Sequence, residues 1–167
     1  MQAAEENKGN NMVIDILITI IGIAVFLQPN TARLYVSCIY FLSVVGHDVL
    51  FSDYTGIAYY GSAALSDFLA MILISNIRPI SIVSISIANI CFISIIINTF
   101  GWLLWYFYQP PIVYNAAFIV IYVAAFFALL KRDNPNGRGG IFDHWNAGFY
   151  HNFVSRVLHF TKLDKKT

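Results

Sequence analysis

The chain has 167 residues, of which 58% are hydrophobic and 11% charged, and its formal net charge is +1. A soluble domain carries about a quarter charged residues, so the composition excludes an ordinary soluble protein and indicates a protein of the lipid bilayer. The small net charge hides an asymmetry, because seven Lys or Arg stand against three Asp from Lys131 onward. We therefore expect an all-α integral membrane protein with a basic tail.

The first candidate span is the weakest. Residues 1–11 are polar and slightly acidic, and we expect them to form a flexible N-terminus. Residues 12–28 are apolar but carry Asp15 near their start, and the segment is shorter than the ~20 residues that usually cross the hydrocarbon core. It either spans the membrane or is half-inserted. A tight turn ending at Thr31, a candidate helix cap, leads into the second span at 32–51.

Three further spans follow at 57–75, 79–104 and 112–130. The fourth span is uncharged from Ile80 to Phe100, long enough to cross a core of ~30 Å at 1.5 Å per residue. The aromatic residues at its end favour the headgroup level; they are Trp102, Trp105, Tyr106 and Tyr108. We predict a bundle of five transmembrane helices over 12–131, with four as the alternative.

The basic residues predict an orientation, since Lys and Arg favour the cytoplasmic ends of spans. With five spans, Arg33, Arg78 and the tail beginning at Lys131 fall on one face of the membrane. The acidic N-terminus and the loop carrying Asp53 fall on the other. This predicts an N-terminus outside and a cytoplasmic C-terminus, whereas four spans would place both termini inside.

The C-terminal segment divides into a turn-rich linker at 132–140 and a basic amphipathic cytoplasmic tail at 141–167. Apolar residues recur in the tail at spacings of three and four, as on one face of a helix; they are Phe142, Trp145, Phe149, Phe153, Val157 and Phe160. Basic residues such as Arg156 suit an anionic leaflet. The tail is interpreted as resting on the membrane or as docking a partner or a neighbouring subunit.

A carboxylate in the third span is the first candidate functional group. Asp67 lies at mid-span, where a charge costs about 2.5–3.5 kcal/mol on insertion scales. Counted from the cytoplasmic ends, Tyr40, Asp67 and Asn89 all lie roughly 12–15 Å deep, so they could form one intramembrane polar layer. The functional interpretation is a proton- or cation-linked site. The alternative is a neutral, hydrogen-bonded Asp67 that specifies helix packing.

A titratable cluster on the outer face is the second candidate, formed by His47, Asp48 and Asp53, with Asp15 as a further member. A histidine beside carboxylates can sense pH or bind a metal weakly. Adjacent residues on a helix do not face one another, however, and the cluster contains no pair of metal ligands at i and i+4. Structural or capping use is favoured, and we predict neither a metal site nor a cofactor.

Small residues follow one face of the fourth span at Ser81, Ser84, Ala88 and Cys91. Such a ridge allows close approach of another helix, and a serine-lined pore wall is the alternative. Cys38 also falls within a span, and both cysteines are expected to be small buried hydrophobes.

No nucleophile elbow, paired-cysteine motif or dinucleotide fingerprint is present in the sequence. We therefore expect neither an enzyme nor a nucleic-acid partner. The favoured function is an accessory or interaction subunit of a membrane complex, whose partners are the bilayer and other membrane subunits or a second copy. The alternative is a homo-oligomeric ion or proton conduit, or a holin-like permeabilising protein. The first is preferred narrowly, because one intramembrane acid is few for a transport route.

Overall fold

The computed structural model describes the backbone of residues 2–131 and the surroundings of the side chains from Val13 onward. This part of the chain contains helices and no strands; the helices are α1 (Gln2–Phe26), α2 (Thr31–Phe51), α3 (Ile57–Asn76), α4 (Ile82–Tyr106) and α5 (Ile112–Leu130). The all-α prediction is confirmed for these residues. The predicted linker at 132–140 and the amphipathic tail at 141–167 lie outside them.

Helices α2 to α5 are each long and apolar enough to cross a membrane. Their length and composition make the chain a multi-pass membrane protein. The apolar part of α1 is shorter and covers Val13–Phe26. The backbone continues as helix from Gln2 through the polar residues expected to be flexible, a stretch that contains the good helix formers Ala, Glu and Lys.

The starts of two helices differ from prediction, and capping explains both differences. The Asn30 side chain accepts a hydrogen bond from the Arg33 backbone N–H at 2.9 Å, so Asn30 is the N-cap of α2. The prediction of Thr31 as the cap was wrong. In α4, the Ser81 side chain accepts from the Ser84 N–H at 3.0 Å. Because a cap residue itself lies outside the helix, α4 begins at Ile82 and not at residue 79.

The five helices form a closed ring. Each helix packs against its neighbours in sequence, α5 packs against α1, and α2 also contacts α4. The loops are short, so consecutive helices are antiparallel. The ends of α1, α3 and α5 and the starts of α2 and α4 therefore meet at one end, called the Arg33 end. The other is called the His47 end.

The apolar core fills the Arg33 half of the ring. Its members are fully buried or nearly so and come from every helix; they include Ile21, Ala24, Val36, Ala70, Ile74, Val83, Ile87, Ala88, Ala125 and Leu129. Large apolar side chains also cover the outside of the bundle, among them Leu42, Leu65, Leu73, Ile96, Val120 and Phe127. An apolar exterior is what a bundle surrounded by lipid requires.

The Arg33 end is held by a buried guanidinium. Arg33 is 4% exposed, and its Nη2 donates to the backbone oxygens of Leu129 at 2.9 Å and Lys131 at 2.7 Å. These carbonyls end α5, where a helix leaves its last acceptors unpaired and favours positive charge. Gln28 Nε2 adds a bond to the same Leu129 oxygen at 3.2 Å. The turn between α1 and α2 therefore caps α5.

Candidate functional site

A cavity of about 510 Å³ occupies the His47 half of the ring. Side chains from all five helices line it, and the lining runs from exposed residues of the loop between α2 and α3 to the buried Asp67. Asp67 is 8% exposed. Among the described residues the charged lining is Asp15, Asp48 and Asp67, with no Lys or Arg. The charged residue types in the lining are therefore all acidic, and the deepest of them is Asp67, in the middle of a transmembrane helix.

Asp67 belongs to a hydrogen-bond network that joins α3, α4 and α5. Ser94 Oγ donates to Asp67 Oδ2 at 2.5 Å, and Asn98 Nδ2 donates to the same oxygen at 3.2 Å. The Tyr114 hydroxyl donates to Asn98 Oδ1 at 2.9 Å. The network orients the carboxyl group and leaves Asp67 Oδ1 without a bond to a described residue.

Tyr40 also lines the cavity and is 1% exposed. Its hydroxyl is buried and has no hydrogen-bond partner in the part of the chain that the structure describes. A buried polar group without a partner costs free energy, so a bound molecule in the cavity would relieve that cost. Tyr40 and Asp67 are thus both members of the predicted polar layer that reach the cavity.

Asn89, the third predicted member of that layer, is not part of the cavity lining. The depth count assumed that the end of α3 and the start of α4 lie at the same level at the Arg33 end. In the structure it is Ser94 that faces Asp67. Ser94 lies about 7.5 Å further along α4 than Asn89, at 1.5 Å per residue. Asn98 therefore takes the role assigned to Asn89, and the prediction of Asn89 in this layer was wrong.

The outer-face cluster is only partly assembled. His47, Asp48 and Asp15 line the cavity near its mouth, whereas Asp53 is exposed in the loop and does not. His47 Nε2 lies 3.1 Å from the Tyr59 backbone oxygen and 3.2 Å from Ser62 Oγ. His47 thus joins α2 to α3. Among the described residues, no three His, Cys, Asp or Glu side chains come together as metal ligands.

Aromatic rings form a continuous wall along the cavity. His47 stacks edge to face on Tyr59, with ring centroids 5.0 Å apart, and Tyr59, Tyr60 and Tyr114 continue at 5.2 Å steps. Phe118 follows Tyr114 at 4.7 Å, and Tyr122 follows Phe118 at 5.8 Å. We call these six residues the aromatic wall; all of them line the cavity.

The small-residue ridge of α4 packs in the core. Ser84, Ala88 and Cys91 are at most 5% exposed, and neither they nor Ser81 line the cavity. Their position fits close helix packing and not a pore wall. Cys91 is buried as expected, whereas Cys38 is partly exposed.

The residues that hold Asp67 were missed because each is unremarkable by itself. Ser94, Asn98 and Gly101 stand at i, i+4 and i+7 on α4, so these polar or small residues share one face of the helix. That spacing is a usable signal for a hydrophilic face turned into a bundle.

Gly101 provides a test of the aromatic wall. A Cβ placed there would lie 2.8 Å from Tyr60 Cε1 and closer still to the Tyr114 ring. We expect Gly101→Ala to destabilise the protein by about 1–3 kcal/mol through overpacking, measured as a lower melting temperature in detergent. Gly46→Ala is the matched control, because nothing lies within 4 Å of its added Cβ. Equal melting temperatures for the two variants would contradict the packing described.

Comparison with known proteins identifies no relative: no family model, curated protein or solved structure matches the chain.

Proposed function

We propose that the protein is a non-enzymatic membrane transport protein that admits a small monovalent cation, or a proton, from one membrane surface to Asp67. The observation that carries the proposal is the cavity of about 510 Å³ that leads from the His47 end to this buried carboxyl group. Ionisable residues inside a bundle are expensive in lipid and typically mark ion or proton pathways.

The residues that line the cavity indicate that the transported ion is positively charged. Among the described residues the charged lining contains three Asp side chains and no Lys or Arg, so its potential favours cations over anions. Asp67 forms no ion pair with a described residue, and its hydrogen bonds come from the neutral groups of Ser94 and Asn98. When Asp67 is deprotonated, a cation entering the cavity therefore meets a carboxylate whose charge no other described side chain neutralises.

In the described residues, an apolar core fills the other half of the ring. A site near the middle of the membrane with access from one side is typical of carriers that alternate between two open states. The described arrangement would be the state open at the His47 end. Small side chains on α3, α4 and α5, at Ala70, Ala88 and Ala125, make the closed half a candidate for the second opening.

This proposal differs from both functions expected from sequence. It places the path within one chain, whereas the conduit hypothesis placed it in a homo-oligomer. Because Ile14, Asp15 and Ile18 of α1 line the cavity, we also propose that α1 crosses the membrane as the fifth span. With the N-terminus outside, the mouth faces the exterior.

Cation flux into liposomes tests the proposal. Purified full-length protein is reconstituted, and uptake of Na⁺, K⁺, H⁺ and methylammonium is measured in turn. Uptake of chloride, and uptake of each ion by liposomes without protein, are the controls. We expect flux of at least one cation and none of chloride. Absence of any cation flux from protein that elutes as a single species, or equal flux of chloride, would overturn the proposal.

The accessory-subunit function remains a prediction, because the tail thought to dock partners lies outside the described residues. Mass determination of the tagged protein, purified from its native host in mild detergent, tests it. Unrelated polypeptides in fixed ratio would support a subunit role, and deletion of residues 141–167 should then release them. Purification of the protein without other polypeptides would argue against a subunit role.

A further inference from the structure

We propose that the ligand of this cavity is a small organic ammonium ion, bound with its charge at Asp67 and its carbon-bearing groups against the aromatic wall. The inference rests on the proposed function, namely that the cavity takes up a cation. It goes further by naming the chemical class.

The first argument is the chemistry of the wall. Five of its six residues are Tyr or Phe, and their rings follow one another at centroid distances of 4.7 to 5.8 Å from Tyr59 to Tyr122. The face of an aromatic ring attracts a cation, and quaternary ammonium groups are commonly recognised in this way. A small inorganic ion would gain less from such a surface, because it must shed a tightly held hydration shell to reach the rings.

The second argument is the set of oxygen atoms at the bottom. Neither Asp67 Oδ1 nor the buried Tyr40 hydroxyl forms a hydrogen bond with a described residue. A dehydrated metal ion takes several oxygen ligands at short distance, carboxylates above all, and among the described residues no three His, Cys, Asp or Glu side chains come together. One carboxylate with a nearby hydroxyl suits a single diffuse positive charge better than it suits a dehydrated metal ion.

The third argument is size. Cavities that hold small organic molecules usually measure about 300–1,000 Å³, and the volume here is about 510 Å³. That space is far larger than one bare metal ion requires. Asp15 and Asp48 near the mouth add negative potential that would raise the local concentration of any cation.

Binding of radiolabelled choline to the full-length protein in detergent tests the inference. Choline and 3,3-dimethyl-1-butanol have nearly the same shape, but only choline is charged. We expect unlabelled choline and tetramethylammonium to displace the label, and the neutral alcohol to be at least about 30-fold weaker, the usual minimum for a buried charge pair.

Two variants separate the charge from the wall. Asp67→Asn should weaken choline binding at least about 30-fold, and Phe118→Leu should weaken it roughly 3- to 30-fold by removing one ring. Phe127→Leu is the control for the latter, because this ring on the same helix is 66% exposed on the outside of the bundle. Equal affinity of the unmodified protein, Asp67→Asn and Phe118→Leu for choline would overturn the inference.

The outcome also distinguishes this inference from the proposed function. If cation flux is present and depends on Asp67, but choline neither binds nor competes, the ligand class is wrong and the transport proposal stands. If choline binds through Asp67 and no cation crosses the liposome membrane, the site is correctly identified and transport is wrong.

Discussion

Replacing Asp67 with asparagine is expected to reduce cation flux in liposomes by at least about 30-fold, since loss of one member of a buried charge pair costs about 2 kcal/mol or more. Asparagine has nearly the same shape and keeps one oxygen, which can accept the hydrogen bond that Ser94 now donates at 2.5 Å. The fold should therefore survive while the charge is lost.

Asp53→Asn is the matched control for this experiment. Asp53 is also an acidic residue on the His47 side, but it is exposed in a loop and does not line the cavity. We expect its flux to equal that of the unmodified protein. Melting temperature and elution volume of both variants establish folding. Undiminished flux in well-folded Asp67→Asn would show that this carboxyl group is structural.

The largest effect on stability is expected at Arg33. Its guanidinium donates two hydrogen bonds at the end of α5, to the backbone oxygens of Leu129 at 2.9 Å and of the C-cap residue Lys131 at 2.7 Å. Each charge-assisted bond contributes about 1.5–3 kcal/mol, so Arg33→Gln should lower the free energy of unfolding by about 2–4 kcal/mol. Glutamine is shorter and neutral, and it cannot replace both bonds or favour the negative end of the helix.

Arg78→Gln is the control for Arg33→Gln, because it removes an equal charge from an exposed position in the loop between α3 and α4. Thermal unfolding in detergent should show a large decrease in melting temperature for Arg33→Gln and little change for Arg78→Gln. A similar decrease in both would mean that net charge, and not the cap on α5, determines the stability.

Much of the fold could be predicted from the sequence because hydrocarbon imposes a simple rule. Backbone groups must be paired within each span, so long uncharged and mainly apolar runs such as Ile80–Phe100 identify a helix. Helix α5 covers the residues predicted for the fifth span, about 112–130, since Pro111 and Lys131 limit an apolar run. The start of α4 was predicted early, because apolar Ile80 extends the run beyond the point where Ser81 caps the helix.

The site was harder to predict because it depends on helix register. Asp67 could be selected by itself, as a carboxylate in an apolar segment. Its partners could not, since Ser94 and Asn98, which bond to Asp67, lie about 7.5 and 13.5 Å further along α4 than Asn89. Nor could the sequence show that rings on α2, α3 and α5 share one wall, because that contact depends on the closure of the ring.

The most direct test of the central claim is the accessibility of a cysteine beside Asp67 to a membrane-impermeant thiol reagent. Ser66→Cys lines the cavity, and Leu65→Cys lies at the same depth but is 57% exposed on the outside of the bundle. Both are made in a background with Cys38 and Cys91 replaced by alanine. We predict that Ser66→Cys reacts only from the His47 side of the membrane and that Leu65→Cys reacts from neither side. Failure of Ser66→Cys to react, or reaction from the Arg33 side, would contradict a water-filled cavity leading to Asp67.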